Sequence, residues 1–409
     1  MSKLEELIQK YCPDGVEYRP LWSLTAWDKK FNGIEDKSKQ KRVIKYNYLL
    51  AADLKSYQVE GGTVKLLTTN ISNLYTSEEL AEGLASDGEV VAIPWGGNPV
   101  VQYYKGRFLT ADNRIATSLD TTLLNNKFLY YCMLSQLKLI ASFYRGSGIK
   151  HPDMAKVLDL EIPIPPLPVQ EEIVRILDTF TELQAELQAE LQKRLQQYNY
   201  YRDNLLSFEG RSDVEWKKLG DVADLLSGFP FDSTQFTNAG IRLMRGMNIK
   251  RGQLCFNEKD DRYWKSEEGL EKYIVQENDI VISMDGSLVG RSFGMVKKED
   301  LPLLLVQRVA RVRSSVFNIN YIYHCINNWF PDYVDKKKTQ GAIPHISMKD
   351  ISNFPIPSPS LEEQEKIASI LDRFEALTND LTAGLPAEIE KRRQQYEFYR
   401  DELLTFKRK

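Results

Sequence analysis

The stretch QEEIVRILDTFTELQAELQAELQKRLQQYNYYRDNLLSF, residues 170–208, decides how this chain is organised. Apolar residues recur in it every three or four positions, which is the period of an α-helix. It contains neither Pro nor Gly, and the strong helix formers Ala, Leu, Gln, Glu and Arg fill most other positions. The pattern predicts one helix about 58 Å long, at about 1.5 Å per residue. Because a helix of that length exceeds one compact domain, we interpret it as a spacer.

A second copy of this stretch occupies residues 364–406, and the two copies end in QQYNYYRD and QQYEFYRD. Gln196 aligns with Gln394 at an offset of 198 residues, which also relates Val16-Glu17-Tyr18 to Val214-Glu215-Trp216. The same offset makes residues 1–15 resemble the end of a spacer helix. Two copies of this length indicate a duplicated domain and not a solenoid. The nearly circular repeat predicts antiparallel spacer helices with facing Leu stripes, related by a pseudo-two-fold axis.

The second spacer departs from the first at residues 382–387, which read TAGLPA and contain both helix-breaking residue types. Pro386 removes a backbone donor and crowds the preceding turn. We therefore expect the C-terminal spacer to kink or split near Gly384 into two shorter helices.

The repeat divides the chain into five predicted segments. Residues 1–15 form an N-terminal helix that completes the circular repeat, and residues 16–162 and 211–354 form two globular domains. Residues 163–210 and 355–409 form the central and C-terminal spacers, which are coiled-coil-like. Each globular domain alternates strand-like and helix-like stretches, so the predicted fold class is α+β with two mixed α/β domains. The framework is kept between the domains while most loop residues differ, which suits two recognition modules for two different ligands.

Composition excludes several classes of protein. No run of 18 apolar residues exists, so we expect no membrane span. The charged N-terminus MSKLEELIQK is no secretory signal, which makes the cytoplasm the expected location. The four Cys are isolated in sequence and indicate neither a disulfide framework nor a metal knuckle.

Motifs for catalysis are also missing from the sequence. Asn98-Pro99-Val100-Val101 is superficially similar to the Asn-Pro-Pro-aromatic motif of adenine methyltransferases, but it lacks the second Pro and the aromatic residue that stacks on a flipped base. No Gly-rich cofactor loop, P-loop or nucleophile elbow is present. We therefore expect no catalysis by this chain, no cofactor bound to it and no metal site.

Charge differs between the predicted segments. Residues 16–162 carry 18 basic and 16 acidic residues, and residues 211–354 carry 21 and 19, so each domain has a net charge of +2. The whole chain has a net charge of −3, because the helical segments are acidic. A phosphate backbone would therefore favour the globular domains over the helices.

In both domains a strand runs into a Gly-containing turn, and a polar loop with Arg, Lys, Ser or Gln and a His follows later in the sequence. Arg and Lys hold phosphates, whereas Gln, Asn, Ser and Arg can read base edges in the major groove. Ordinary surface polarity explains any one such residue at least as well, and recurrence at matching places is what favours DNA contact. The candidate DNA-binding residues are Trp95, Asn98, Arg145, Ser147, Lys150, His151, Arg245, Asn248, Ser283, Asp285, Ser287, Arg291, Lys336, Lys338, Gln340 and His345.

Further expectations concern the surroundings of these candidates. Residues 127–144 and 321–329 read as helices, and residues 145–151 read as a flexible loop. Arg114 and Arg308 lie in matching apolar stretches, so we expect both to be structural residues within strands. The polar segment 29–45 contains five Lys or Arg after residue 36 and is a mobile loop, a basic hairpin or a solvated charge run.

The whole sequence resembles a specificity subunit of a type I restriction-modification enzyme. The resemblance rests on the Ile-Pro-Ile-Pro-Pro-Leu run that begins at Ile162, its partner Pro355-Ile356-Pro357, and the paired QQYxxYRD ends. The tandem Leu-Gln-Ala-Glu units that begin at Leu183 and Leu187 are similar to tetrapeptide repeats in one branch of that family.

The resemblance implies that the globular domains are target-recognition domains. Each would read one half of a bipartite, asymmetric target in double-stranded DNA. The helices would set the spacing and dock two modification (methyltransferase) subunits, and restriction (helicase-nuclease) subunits would join them. S-adenosylmethionine, ATP and Mg are then expected on the partner subunits. The spacing and docking residues we expect are Leu183, Leu187, Leu191, Leu195, Leu377, Leu381, Leu385 and Ile389.

Two alternatives from other classes stay open at this point. A stand-alone bipartite DNA-binding regulator would purify without further subunits. A coiled-coil scaffold that joins two protein-binding domains would bind no duplex DNA.

Overall fold

The chain forms two compact units in a computed structural model that describes residues 2–40, 42–337, 344–379 and 384–409. Unit 1 comprises Met1–Gln188 and Ile389–Lys409, and unit 2 comprises Ala189–Glu388. Each unit therefore combines one globular domain with part of both spacers.

Unit 1 begins with a short helix and then alternates strands and helices up to the long spacer. Its elements in chain order are α1 (Lys3–Tyr11), β1 (Glu17–Pro20), α2 (Leu21–Leu24), β2 (Thr25–Trp27), α3 (Ala51–Leu54), β3 (Val64–Leu67), β4 (Tyr75–Thr76), β5 (Ser86–Pro94), β6 (Gln102–Thr110), β7 (Asn113–Ser118), α4 (Asn126–Ser135), α5 (Leu137–Ser142), β8 (Tyr144–Arg145), β9 (His151–Pro152), α6 (Met154–Leu158), β10 (Glu161–Ile164) and the spacer α7 (Leu167–Leu205), which continues into unit 2.

A six-stranded sheet forms the centre of unit 1, in the order β2-β7-β5-β6-β3-β4. The β3–β6 pair is parallel, and the other pairs are antiparallel. Two-stranded pairs, β1–β10 and β8–β9, stand beside it. Pro163 in β10 fits this position because each strand of a two-stranded pair has one edge without a hydrogen-bonding neighbour.

Unit 2 follows a related plan with shorter strands. Its elements are β11 (Glu215–Lys218), α8 (Leu219–Val222), β12 (Asp224–Ser227), β13 (Ile241–Met244), β14 (Ile249–Lys250), β15 (Gln253–Leu254), β16 (Tyr263–Trp264), β17 (Ile274–Val275), β18 (Ile280–Ser283), β19 (Phe293–Met295), β20 (Leu303–Leu305), β21 (Val309–Arg313), α9 (Ile319–Lys337), α10 (Met348–Ser352), β22 (Pro355–Ser358), α11 (Leu361–Asn379) and α12 (Leu385–Leu403), most of which belongs to unit 1.

Two four-stranded sheets in unit 2 replace the single sheet of unit 1. Their orders are β12-β21-β18-β19 and β16-β13-β20-β17. The antiparallel β12-β21-β18 set corresponds to β2-β7-β5, and the parallel pair β13–β20 corresponds to β3–β6. β11 pairs with the proline-containing β22 as β1 pairs with β10. The duplicated framework predicted from the sequence is confirmed at the level of strand pairing.

The predicted central helix is confirmed. It spans 39 residues, Leu167–Leu205, and so begins three residues earlier than the sequence pattern indicated. The earlier start includes Pro168, which a first helical turn tolerates because its N–H would lack a partner there in any case. Ile173 and Leu177 are fully buried in the core of unit 1, and Tyr198 is buried in that of unit 2.

The predicted split of the C-terminal spacer is also confirmed. Gly384 is not helical, and a new helix begins directly after it at Leu385. The helix before it is described up to Asn379, and residues 380–383 lie outside the described residues. Pro386 lies in the first turn of the second helix, where proline is compatible with helical geometry.

Other predicted elements differ from the structure in detail. The helix expected at 127–144 is two helices with a break at Gln136, and the loop expected at 145–151 is the tip of the β8–β9 ribbon. The helix expected to end at Trp329 continues to Lys337 through Pro331, because Phe330 and Val334 are fully buried on its inner face. Among the described residues, no helix is long and apolar enough to cross a membrane.

A buried glutamine fixes each globular domain to the start of its spacer. The Gln170 Oε1 atom accepts a hydrogen bond from the Asn125 N–H (2.9 Å), and its Nε2 donates to the Pro165 carbonyl oxygen (2.7 Å). Gln364 makes the same two contacts, with the Asn318 N–H (3.0 Å) and the Pro359 carbonyl oxygen (3.0 Å).

Candidate DNA-binding surface

In unit 1 the turn after β5 is hydrogen-bonded to the β8–β9 ribbon. The Gly97 N–H donates to the Lys150 carbonyl oxygen (3.1 Å). His151 Nδ1 lies 2.7 Å from the Trp95 carbonyl oxygen, which can only accept, so Nδ1 carries the proton. The two rings lie 5.2 Å apart. A Cβ atom at Gly96 would approach Ile149 Cγ2 to 2.8 Å, so any larger residue there would displace the exposed Ile149 side chain.

We call this surface, residues 95–98 and 144–152, the Trp95 edge. All six candidates predicted for the first domain lie on it, in the turn or in the ribbon. Arg145, Ser147, Lys150, His151 and Asn98 are exposed, and Trp95 is half-buried. Exposed cationic side chains next to an aromatic ring suit contact with phosphates and bases.

Sequence reasoning missed a cavity that adjoins the Trp95 edge. The cavity has a volume of about 410 Å³ and is lined by Asp28, Lys29, Lys45, Tyr46, Tyr48, Leu49, Asp112 and Arg114. Lys29 Nζ lies 5.4 Å and Arg114 Cζ 4.2 Å from the centroid of the Trp95 ring, so the cavity and the edge form one continuous surface. The charged segment 29–45, which supplies Lys29 and Lys45 to the lining, was the only hint of this cavity in the sequence. Its charge pattern does not distinguish residues that line a binding cavity from charged residues exposed to solvent.

Arg114 is a structural residue, as predicted. It donates from Nη1 to Asp28 Oδ2 (3.3 Å) and to the Asn113 carbonyl oxygen (2.6 Å), with its side chain 6% exposed. The Asp28 carboxylate also accepts from the Ile115 N–H (3.0 Å) and the Tyr48 hydroxyl (3.0 Å). Removal from water, together with the charge of Asp28, raises the pKa of Tyr48. Removal from water, together with the charge of Arg114, lowers the pKa of Lys29.

Unit 2 has a second edge built on the same plan. The Gly286 N–H donates to the Pro344 carbonyl oxygen (3.1 Å), and the Ile346 N–H donates to the Met284 carbonyl oxygen (2.9 Å). Asp285 and His345 face each other in this antiparallel contact. We call residues 284–288 and 344–346 the Asp285 edge. Of the predicted residues, Asp285, Ser287 and His345 lie on it.

Two predicted DNA-binding residues of unit 2 are corrected by the structure. Asn248 is buried, and its side chain bonds to the Arg245 N–H (3.2 Å), the Cys255 carbonyl oxygen (3.2 Å) and Asp261 Oδ1 (3.3 Å). Ser283 is buried, and its hydroxyl donates to the Asp285 carbonyl oxygen (3.1 Å). Both side chains are satisfied inside the domain and are not presented to DNA.

The remaining candidates of unit 2 lie elsewhere. Arg245 donates to the Asp260 carbonyl oxygen (3.3 Å), and Arg291 forms two hydrogen bonds with Asp335 on α9 (3.2 and 2.6 Å). Lys336 is exposed in the last turn of α9. Lys338 and Gln340 lie outside the described residues.

The prediction for Arg308 is wrong. It precedes β21, which begins at Val309, and its side chain is 64% exposed. The Val309 N–H donates to the Val306 carbonyl oxygen (3.1 Å), so Arg308 stands in a tight turn with φ +66°. Its Nη1 atom donates to Asp285 Oδ2 (3.0 Å), which places it on the Asp285 edge.

The spacers carry a repeated aromatic motif. Tyr201 stacks on Phe374 in unit 2 (5.3 Å), and Tyr399 stacks on Phe180 in unit 1 (5.7 Å). The residues just before them, Tyr200 and Phe398, are 66% and 63% exposed. Each unit therefore presents one outward aromatic ring at the same place in the repeat.

The predicted Leu stripe is less buried than Ile173, Leu177 and Tyr198 of the central spacer. Leu183 and Leu377 are exposed, and the other described members are half-buried. Leu381 lies outside the described residues. The role of this stripe in spacing and docking stays a prediction.

Among the described residues, no group of three or more His, Cys, Asp or Glu side chains is arranged to hold a metal ion. The buried His324 instead contacts Asp372 on α11, with Nε2 2.7 Å from Oδ1. This pair joins the domain of unit 2 to its spacer, as Tyr131 and Asp178 do in unit 1 (2.6 Å).

Comparisons with known proteins agree on one family. The family described as "Type I restriction modification DNA specificity domain" matches residues 87–197 and 211–391. The EcoR124I/EcoR124II specificity subunit of Escherichia coli is 35% identical over 309 residues, which cover 72% of this chain and 74% of the relative. The MjaVIII specificity subunit of Methanocaldococcus jannaschii is 22% identical over 343 residues, covering 77% and 79%.

A solved structure has the same fold. The type I restriction-modification S subunit from M. genitalium superposes with a TM-score of 0.64 at 16% identity, covering 96% of this chain and 97% of that one. The chain belongs to the family of type I restriction-modification specificity subunits. The prediction of a DNA-specificity subunit with two recognition domains and no catalytic role is confirmed.

Proposed function

We propose that each unit reads one half of a bipartite, asymmetric target in double-stranded DNA through its edge. The observation that carries this proposal is the repeated construction of the two edges. In both units a turn after a central strand is bonded through a Gly N–H, of Gly97 or Gly286, to a second chain segment. The side chains displayed on these frames differ, as two different half-sites require.

DNA and other subunits of a restriction-modification system are the proposed partners. Within that assembly we propose that the spacers dock two modification subunits and that restriction subunits join them. The repeat supports two copies of one partner, because Tyr200 and Phe398 stand at equivalent, exposed places in the two units. S-adenosylmethionine, ATP and Mg then belong to the partner subunits, and the complex works in the cytoplasm.

We propose different roles for the residues of the Trp95 edge and of the adjoining cavity. Lys150 and Arg145 on the edge and Lys29 in the cavity hold phosphates, while the half-buried Trp95 ring positions Lys29 and Arg114 beside the cavity. Lys336 is the corresponding phosphate contact of unit 2. Phosphate contacts fix the register of a protein on the duplex but carry no sequence information.

The test is selection from random duplex DNA by the chain reconstituted with its modification subunits. We expect a target with two specified parts separated by an unspecified spacer of fixed length. Exchanging residues 211–354 for the matching domain of a relative should change one part and leave the other intact. A target with one contiguous part, or a change in both parts after the exchange, would refute the modular proposal.

A further inference from the structure

Arg308 is held in an unusual backbone conformation on the Asp285 edge. Its φ of +66° lies in the left-handed region, which few residues other than glycine adopt. Such conformations persist where the surrounding structure fixes them, and they occur preferentially at functional sites. At Arg308 this conformation carries a long cationic side chain at the surface, in a turn that glycine could form without strain.

Three backbone hydrogen bonds fix this turn. The Val309 N–H donates to the Val306 carbonyl oxygen (3.1 Å), and the Gln307 N–H donates to the Phe229 carbonyl oxygen (2.8 Å). The Arg308 carbonyl oxygen accepts from the Met284 N–H (2.9 Å), which ties the turn directly to the Asp285 edge. The backbone that carries the guanidinium is therefore anchored on both sides.

Asp285 orients the guanidinium itself. The contact from Nη1 to Asp285 Oδ2 (3.0 Å) occupies one of the five N–H donors of an arginine. The Asp285 backbone is in turn paired with His345. A carboxylate that belongs to the edge thus holds one nitrogen of the guanidinium, and the remaining donors are left for a ligand.

We propose that Arg308 reads a guanine in the half-site recognised by unit 2, with Asp285 as its positioning residue. This inference rests on the proposed function. Arginine donating two parallel hydrogen bonds to guanine O6 and N7 is the commonest specific contact in the major groove. A phosphate at the same guanidinium is disfavoured because the Asp285 carboxylate would lie beside it and repel it. The neutral acceptors of guanine carry no such penalty.

The experiment uses the chain reconstituted with its modification subunits. Targets are selected from random duplexes for the wild type, Arg308→Gln, Arg308→Lys and Asp285→Asn. Arg107→Gln is the matched control, because Arg107 is a similarly exposed arginine of unit 1 that is paired with Glu78. Thermal unfolding of each variant shows whether the fold is retained.

We expect Arg308→Gln to lose discrimination at one G·C pair of the second half-site, by about tenfold to a hundredfold. Arg308→Lys should lose discrimination there too, because an ammonium lacks the fork of a guanidinium. The lysine variant should keep the salt dependence of binding. Asp285→Asn should weaken the preference at the same position and at no other, and Arg107→Gln should leave the second half-site unchanged.

Several outcomes would overturn the inference. One is a variant at Arg308 with wild-type preferences throughout the second half-site. Another is uniform weakening on all sequences with a shallower salt dependence, which would indicate a phosphate contact. A second half-site that contains no specified G·C pair would also overturn the inference. If the wild-type complex selects no bipartite target, the proposed function fails instead.

Discussion

Burying the guanidinium of Arg114 removes a charge from water, and that loss has to be offset by neighbouring groups. Asp28 supplies a carboxylate at 3.3 Å, and Arg114 Cζ lies over the face of the Trp95 ring, 4.2 Å from its centroid. Arg308 instead meets its carboxylate, Asp285, at the surface. Of these two arginines, Arg114 therefore has its charge compensated inside the domain, whereas Arg308 keeps most of its side chain accessible to a ligand.

Replacing Asp28 by Ala should destabilise unit 1 strongly. The change leaves Arg114 buried and unpaired, which costs about 3–5 kcal/mol in comparable cases. Hydrogen exchange measured by mass spectrometry should show faster exchange in β5 to β7 and no change in unit 2. Glu190→Ala is the control, because its pair with Arg194 lies on an exposed helix face and should cost about 0.5 kcal/mol or less. Equal, small effects of both substitutions would contradict the assigned role of Asp28.

At the scale of single residues the sequence predicted the Trp95 edge better than the Asp285 edge. Asn248 and Ser283 are candidates from the sequence because Asn and Ser side chains can read base edges. Their burial depends on hydrogen-bond partners such as Asp261, which is 13 positions from Asn248 and has no sequence signal of its own. The prediction for Arg308 fails because the alignment matches Gln307 with Asn113, the first residue of β7, whereas β21 begins two residues after Gln307, at Val309.

The junctions between domain and spacer are the elements that the duplication keeps most closely. Gln170 and Gln364 are buried, and each satisfies one N–H and one carbonyl group of the same kind. A buried group that loses its partner costs about 1–3 kcal/mol. This cost explains why a polar side chain is retained where an apolar one would pack.

We therefore expect Gln170→Leu and Gln364→Leu to destabilise the two units separately. Each change leaves a buried N–H and a buried carbonyl group unsatisfied at a junction of nearly unchanged volume. Hydrogen exchange should accelerate at the start of α4 and α7 for the first variant, and at the start of α9 and α11 for the second. The exposed Gln196, changed to Leu, is the control. Faster exchange in both units from a single substitution would contradict independent junctions.

Helices with a strong period were predictable, whereas short elements were not. The period of α7 extends over its whole length, and the break at Gly384 follows from local chemistry alone. The continuation of α9 through Pro331 does not follow from local chemistry. There, burial of Phe330 and Val334 outweighs the loss of one backbone hydrogen bond. The β8–β9 ribbon has four residues in strands and is fixed by its contact with the distant Gly97, so the local sequence gives it no pattern.

The outward rings of the spacers give a prediction about docking. Tyr200→Ala and Phe398→Ala should each weaken binding of a modification subunit by about tenfold or more, since exposed aromatic residues are frequent anchors of interfaces. Titration of the purified chain with that subunit measures the effect. Val316→Ala is the control, because Val316 is as exposed as these rings but lies in a loop of unit 2.

The stoichiometry distinguishes docking from a general loss of stability. Each single variant should still bind one modification subunit with wild-type affinity, and the double variant should bind neither tightly. Full binding of two subunits by the double variant would refute this docking surface.

At the scale of the whole molecule, charge distinguishes the two kinds of segment. The domains carry the net positive charge, and the spacers carry the negative charge. The boundary between the compact units crosses α7 at Gln188/Ala189, within the second of the tandem Leu-Gln-Ala-Glu units, and it crosses α12 at Glu388/Ile389. An insertion into α7 at Leu187 falls next to this boundary and not deep inside either unit.

Insertion of one further Leu-Gln-Ala-Glu unit at Leu187 should therefore lengthen the DNA spacer by one base pair, with both half-sites unchanged. Four helical residues add about 6 Å and a net rotation of about 40°. One base pair advances the duplex by about 3.4 Å and turns it by about 34°. The rotation fits one base pair, and the translation fits one or two, depending on the tilt of the helix. We expect one added base pair because binding tolerates less error in the rotation of an edge relative to its groove than in a small shift along the axis.

Mapping of the adenines methylated by the reconstituted variant measures the new spacing. A two-residue insertion is the control, since it turns the Leu stripe to the far side of the helix and should abolish activity. An active four-residue variant that keeps the original spacing would show that the helix does not set the distance between the half-sites.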